Sequence, residues 1–309
     1  MFAGRSSAMA WQPDRLLPGF EALELAAPDD YDGRVVATLV RLPLAAAPIG
    51  AVRGTVLYVH GFIDYFFQRH MAERFAAEGY AFYALDLRKH GRSLLPHQHP
   101  CFCKDLSEYY VDITHALAEI DTDVLLAGHS TGRLICSLYK HEGELRDRVR
   151  ALWLNSPFFD WRGGGAAQRK LRIASFLGRF FPFSNNPNAV LPAYVRSLHR
   201  NWHGEWEFDL ALKPLMGFPA CFGWVRAIFE AHAKVHAGLS LACPVLSMHS
   251  DEADIALDWK QVARWSRTLG KHVTVQQFPG GLHDLVLSRR EIREEVFRQL
   301  FAWEARSMA

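Results

Sequence analysis

The amino-acid sequence predicts an α/β fold, a mostly parallel central sheet flanked by helices, with an inserted helical cap. Three features carry this expectation. Short apolar runs bounded by turn residues alternate with helical stretches over residues 55–157 and again over 241–309, the pattern of strand–helix–strand crossovers. Near the N-terminus, two apolar runs surround Pro28-Asp29-Asp30-Tyr31-Asp32-Gly33, whose composition is that of a turn, so they read as an antiparallel hairpin. Over residues 158–240 the alternation stops and aromatic residues crowd in instead, among them Phe176, Phe180, Phe181, Phe183, Trp202, Trp206 and Trp224.

In chain order, residues 1–15 read as a poorly ordered arm, followed by the hairpin strands Phe20–Ala26 and Val35–Leu42. After an alanine-rich loop at 45–51 come strand Thr55–His60, helix Arg69–Ala77 and strand Tyr80–Leu85. Helix Leu106–Ile120 follows, with Asp105 placed to cap its N-terminus. Strand Asp123–Ala127, helix Thr131–His141 and strand Ala151–Asn155 complete the first half. After the interruption, strand Pro244–Met248, helix Trp259–Leu269, strand Val273–Phe278 and helix Glu291–Arg306 resume the alternation. The predicted organisation is an arm over 1–15, a core built from 16–157 and 241–309, and a helical cap over 158–240.

Composition narrows the function classes. Half of the 309 residues are hydrophobic and 22% are charged, with a formal net charge of +2 and no long Lys/Arg block, so nucleic acid is not an expected partner. The five cysteines, at 101, 103, 136, 221 and 243, form an odd and scattered set that fits reduced thiols in the cytoplasm. Residues 1–13 contain no apolar signal core, and no stretch of 18 apolar residues predicts a transmembrane helix.

The chemistry is concentrated at Gly128-His129-Ser130-Thr131-Gly132, which follows the apolar run Val124–Ala127 and opens a helix. A serine hydroxyl is a weak nucleophile unless it is held exposed beside a base and near oxyanion donors, and a sharp strand-to-helix turn with flanking glycines holds it that way. Where such an elbow occurs, the partners follow in the order Ser, then Asp or Glu, then His. His283, in the loop Gly280-Gly281-Leu282-His283-Asp284, is the candidate base. Three acids compete to orient it: Asp254 first, Asp251 next and Glu252 last. Two N–H groups are expected to hold an oxyanion, those of Thr131 and of Phe62 in His60-Gly61-Phe62, with His60 bracing that loop.

With these pieces in place, the chain resembles the α/β-hydrolase superfamily, and within it the branch of monoacylglycerol lipases, lysophospholipases and serine aminopeptidases. The resemblance rests on VLYVHGF (56–62), ALDLRKHGRS (84–93), LLAGHSTG (125–132), PVLSMHS (244–250) and GGLHDLVLS (280–288). It implies that Ser130 is the nucleophile, His283 the base and Asp254 the acid, and that the α/β-hydrolase fold carries them. The resemblance departs from the family pattern at two points. The acidic loop after His249-Ser250 is longer than usual, which keeps Asp251 in contention. Arg133 stands where relatives often have another glycine; a cation in a first helical turn opposes the helix dipole, so its side chain is expected to reach solvent or an acid. Asp86-Leu87-Arg88 is expected to fix a neighbouring turn.

Two other groupings invite functional readings. His97-Gln98-His99-Pro100-Cys101-Phe102-Cys103 has metal-binding residue types but not the spacing of a structural zinc site, so no metal is expected. Glu205 and Glu207, between Trp202 and Phe208, are acids that an aminopeptidase would need for a substrate amine. The expected function is a serine hydrolase cleaving a small-molecule carboxylic ester through Ser130, His283 and Asp254, without a cofactor. Contact with a membrane surface through the cap aromatics is a secondary expectation. The alternatives are a serine aminopeptidase acting on amides, and a non-catalytic binding protein of the same fold.

Overall fold

The computed structural model describes residues 10–43, 52–186 and 192–307. The alanine-rich loop at 45–51 and residues 1–9 of the expected arm lie outside them. The end of the arm is structured: Gln12–Pro13 (β1) pairs with Ala22 and Glu21, and Asp14 is buried in an ion pair with Arg92 at 2.7 Å.

The hairpin strands are Glu21–Asp30 (β2) and Gly33–Arg41 (β3), longer than expected, with only Tyr31 and Asp32 between them. Next come Gly54–Val59 (β4), helix Arg69–Ala77 (α1), Tyr80–Asp86 (β5), helix Glu108–Ala118 (α2), Val124–His129 (β6), helix Thr131–Glu142 (α3) and Val149–Asn155 (β7). After the interruption, strand Val245–His249, helix Trp259–Ser266 and strand Val273–Gln277 lead into helix Arg290–Ser307. Helix α2 starts later than predicted. Asp105 does not cap it; its carboxylate accepts the Ser107 N–H, and Glu108 in the first turn reaches back to the N–H groups of Lys104 and Asp105.

Between β7 and Val245 lie helices Gly165–Leu177 (α4), Pro192–Leu198 (α5) and Phe222–Ala237 (α6), with a short antiparallel pair, Asn185–Asn186 (β8) and Ala220–Cys221 (β9). Val245–His249 is therefore β10, Trp259–Ser266 is α7, Val273–Gln277 is β11 and Arg290–Ser307 is α8. One nine-stranded sheet runs β1-β2-β3-β5-β4-β6-β7-β10-β11. It is antiparallel from β1 to β5 and parallel from β5 through β11.

Alternation along the parallel strands explains the two helical layers. Leu57, Val59, Val124, Leu126 and Val245 face one core with residues of α2, α3 and α7. Val56, Tyr58, Leu125, Ala127, Leu246 and Met248 face the other with residues of α1 and α8. Strands buried on both faces read as continuous apolar runs, as these do. This is the mostly parallel, helix-flanked sheet of the α/β-hydrolase fold. The loops after β4, β6, β10 and β11 leave the sheet at its C-terminal edge, where open α/β sheets place their crevice.

The charges of Asp86-Leu87-Arg88 do fix the adjoining turn. Asp86, wholly buried, accepts the N–H groups of Phe66 and Arg92 and pairs with the Arg92 guanidinium at 2.9 Å. Arg88 forks onto the buried Asp112 of α2, at 2.6 Å for the closest contact.

Candidate active site

Strand β6 ends in a sharp turn into α3. Ser130 takes φ 52° and ψ −117°, outside the usual regions for a residue with a side chain. A Cβ at position 132 would lie 2.2 Å from the His60 carbonyl oxygen, and one at 61 would lie 3.3 Å from the Ser130 Cβ. Glycine at 132 therefore lets α3 start directly against the β4 loop, and Gly61 lets that loop approach the serine.

Ser130 is half-buried, and its Oγ lies 3.0 Å from His283 Nε2. On the far side of the ring, His283 Nδ1 lies 2.9 Å from Asp254 Oδ2, so Nδ1–H donates to the carboxylate and Nε2 is left to accept from Ser130. Asp254 Oδ1 accepts the N–H groups of Ala256 and Leu257 at 2.7 and 3.0 Å. Burial alone would raise the pKa of Asp254; the neighbouring His283 and these hydrogen bonds outweigh it and hold the carboxyl below its ordinary value.

The structure brings together Ser130, His283 and Asp254, but not the other two acids. Asp251 is half-buried and accepts the N–H groups of Ala253 and Gly280, tying the β10 loop to the β11 loop, while Glu252 is exposed. The extra length of the acidic loop closes onto Gly280 rather than onto the imidazole.

Phe62, in the loop after β4, and Thr131, the first residue of α3, lie beside Ser130. Among the described residues neither N–H donates to another protein group. Both residues line one small crevice with Leu87, Ile135 and Trp224. His60 braces its loop as expected, its Nε2 accepting the Leu87 N–H at 3.0 Å.

Arg133 departs from expectation. It neither reaches solvent nor pairs with an acid: it is wholly buried, its guanidinium carbon lies 5.8 Å from the Trp153 ring centroid, and none of its three side-chain nitrogens has a protein partner among the described residues. Burial pushes its pKa far down. The tight elbow turns the first residues of α3 beneath the strands instead of outward, which the pentapeptide alone does not reveal.

Several polar residues at the site carried no signal in the motif. Asp284, wholly buried, accepts from Asn155 Nδ2 at 2.6 Å, and Asn155 Oδ1 accepts the Leu285 N–H, which anchors the loop bearing His283 to the end of β7. Asp64 and Lys213 form a buried pair at 2.6 Å. The Tyr194 ring meets His283 edge-on at 5.5 Å, and Trp224 stacks on Phe62 at 3.8 Å.

The remaining candidates have other partners. His99 binds Asp32 at 2.8 Å, and Cys101 and Cys103 are buried free thiols. Glu205 and Glu207 are held by Arg293 and Arg200, at 2.9 and 2.7 Å.

Residues 50–290 match the family described as serine aminopeptidase, S33. The chain belongs to that family. It is also 31% identical over 252 residues to a monoacylglycerol lipase of Mycolicibacterium smegmatis, an alignment covering 75% of this chain and 82% of the relative. Among solved structures it is similar to a soluble variant of a Saccharomyces cerevisiae monoglyceride lipase, with a TM-score of 0.70 at 19% identity, over 92% of this chain and 97% of the other. It is also similar to a Paleococcus ferrophilus monoacylglycerol lipase, with a TM-score of 0.64 at 23% identity, over 82% and 94%. A carboxyl esterase from Bacillus coagulans superposes with a TM-score of 0.70 at 17% identity, over 93% and 99%. Membership of this family supports an ester hydrolase acting on a small molecule. No helix among the described residues is long and apolar enough to cross a membrane.

Proposed function

We propose that the protein is a serine hydrolase that cleaves a carboxylic ester with an apolar acyl group, a glycerol monoester being the favoured substrate. The observation that carries this is the unbroken line from Ser130 Oγ to His283 Nε2 and from His283 Nδ1 to Asp254 Oδ2. Ser130 Oγ attacks the ester carbonyl while its proton passes to His283 Nε2. The Phe62 and Thr131 N–H groups hold the oxyanion, and the bond to the leaving alkoxide breaks as His283 returns the proton to it. Water then attacks the acyl-serine with His283 as base, and the acid leaves. Asp254 orients the imidazole and stabilises its charged form. Every proton moves between these side chains, the substrate and water, so the chemistry calls on no cofactor.

Residues 158–240 act in this reading as a cap. Tyr194 and Trp224 reach His283 and Phe62 from that segment, placing aromatic rings beside the proposed base and beside one proposed oxyanion donor. The relative named a monoacylglycerol lipase supports the glycerol ester. The arginine pairing of Glu205 and Glu207 leaves them unsuited to a substrate amine, which favours ester over aminopeptidase chemistry. The exposed residues Ile173, Phe176, Phe180 and Phe181, beside Arg169, Lys170, Arg172 and Arg179, support contact with an anionic lipid surface. Five free, buried thiols fit a cytoplasmic protein.

Turnover of monoacylglycerols and p-nitrophenyl esters of graded chain length tests the reading, with wild type beside Ser130→Ala. Hydrolysis of esters that is lost in the variant supports it. Hydrolysis of aminoacyl amides in preference to esters overturns the substrate assignment, and no hydrolysis of either overturns the enzyme.

A further inference from the structure

We infer that Lys213 is a positioning residue of the acyl-transfer site, acting through Asp64 on the loop that carries the Phe62 N–H. The inference rests on the proposed role of Phe62 as an oxyanion donor. That loop runs His60-Gly61-Phe62-Ile63-Asp64-Tyr65, and Ile63 takes a φ of 51°. A β-branched residue adopts that left-handed conformation only where its surroundings impose it.

Asp64, the next residue, anchors the loop at that point. Its carboxylate is 2% exposed, and Lys213 Nζ, on a side chain 3% exposed, lies 2.6 Å from Oδ1. The other carboxylate oxygen lies 3.8 Å from His129 Nδ1. That ring precedes Ser130 in the chain and stands 4.8 Å from the ring of His283. A second tie runs parallel to the first: the Asp209 N–H donates to the Tyr65 hydroxyl at 2.7 Å, and the Lys213 N–H donates to the Asp209 carbonyl at 2.9 Å. The turn at 209–213 is thus fastened to the oxyanion loop at two points. Phe67, Tyr194 and Phe208 surround the ammonium at 5.4, 5.5 and 5.6 Å.

Two consequences follow for the chemistry. Burial would raise the pKa of Asp64, but the charge of Lys213, reinforced by His129, holds its carboxyl far below the usual range, so it stays ionised two residues from the oxyanion donor. Unpaired, that anion would oppose the negative charge developing on the carbonyl oxygen; the ammonium cancels it. Moreover, Lys213 belongs to the segment between β7 and β10, so that segment supplies the counter-charge to the oxyanion loop.

The test compares wild type with Lys213→Met and with the paired change Asp64→Asn/Lys213→Met. The single variant leaves a buried carboxylate unpaired and is expected to lose folded protein, whereas the paired variant leaves no lone charge. The paired variant is expected to keep the KM for a soluble p-nitrophenyl ester within about two-fold. Its kcat should fall about 10-fold or more, and its affinity for a trifluoromethyl ketone, which mimics the oxyanion, should weaken by a similar factor. If kcat and ketone affinity stay at wild-type values while only the melting temperature moves, the pair is structural and the inference is overturned. The same holds if Lys213→Met itself folds and turns over at the wild-type rate. Failure of the Ser130 reading is distinguishable: Ser130→Ala would then hydrolyse the ester as fast as wild type.

Discussion

In the proposed chemistry Ser130 is activated by its neighbours, and the two nearby acids are distinguished by what they touch. Asp254 is bonded to His283 and sits nearly dry, whereas Asp251 fastens one loop to another. Asp254→Asn is expected to lower kcat/KM by about three to four orders of magnitude, and Asp251→Asn by less than about ten-fold, in assays with a p-nitrophenyl ester. Equal losses in the two variants would contradict the assignment. Arg133 has the opposite character, a buried cation without a protein acceptor among the described residues. Arg133→Met keeps an unbranched side chain of similar reach in this buried site and removes the desolvated charge. It should raise stability by about 1–3 kcal/mol, read as a higher urea midpoint at unchanged slope. A lower midpoint would mean that the guanidinium has a partner worth more than its burial penalty.

Among the elements, α4 has two faces with different roles. Its inner side packs on α6, and just past its C-terminus a Cβ at Gly178 would lie 2.2 Å from the Phe222 carbonyl oxygen. Its outer side leaves Ile173 and Phe176 more than half exposed, continued by Phe180 and Phe181. Arg169, Lys170, Arg172 and Arg179 are exposed in the same segment, so the proposed lipid contact would pair apolar side chains with cations. Wild type should therefore sediment with phosphatidylglycerol vesicles and less with phosphatidylcholine. The triple change Phe176→Ser, Phe180→Ser, Phe181→Ser should abolish that binding without shifting the melting temperature; undiminished sedimentation would place the lipid contact elsewhere. The predicted strands and helices of the core fell within a few residues of the observed ones because continuous apolar strands and amphipathic helices are local signals. Over 158–240 the sequence predicts a helical, aromatic-rich insertion, and helices α4, α5 and α6 lie there, but their individual bounds carry no comparable local signal. The buried pairs Asp64–Lys213 and Asn155–Asp284 join residues far apart in the chain, and no local pattern marks such contacts. The burial of Arg133 is hidden from the local sequence for a related reason, since the elbow's tight geometry decides where its side chain goes.

The molecule as a whole should be sensitive to mild acid. Burial holds the pKa of His90 down at about 3 and that of His232 at about 4, against an ordinary value of 6.5. Between those values the unfolded chain binds more protons than the folded one, so stability is fully present above about pH 6.5 and declines as pH falls toward 4. Each histidine contributes on the order of 3 kcal/mol to that decline. The melting temperature is expected to drop across this window, and His232→Gln, whose amide can still donate to the Phe158 carbonyl, should flatten the drop. A wild-type profile flat down to pH 4.5 would contradict the buried neutral state. The same architecture that keeps these groups dry brings four loops to one edge of the sheet, and the proposed ester chemistry depends on that convergence. It is tested most directly by reacting the folded protein with a fluorophosphonate and locating the adduct by mass spectrometry, with Ser130→Ala and His283→Ala in parallel. The account predicts one adduct per chain, on Ser130, absent in the first variant and strongly slowed in the second. An adduct on another residue, or none on folded wild-type protein, would contradict it.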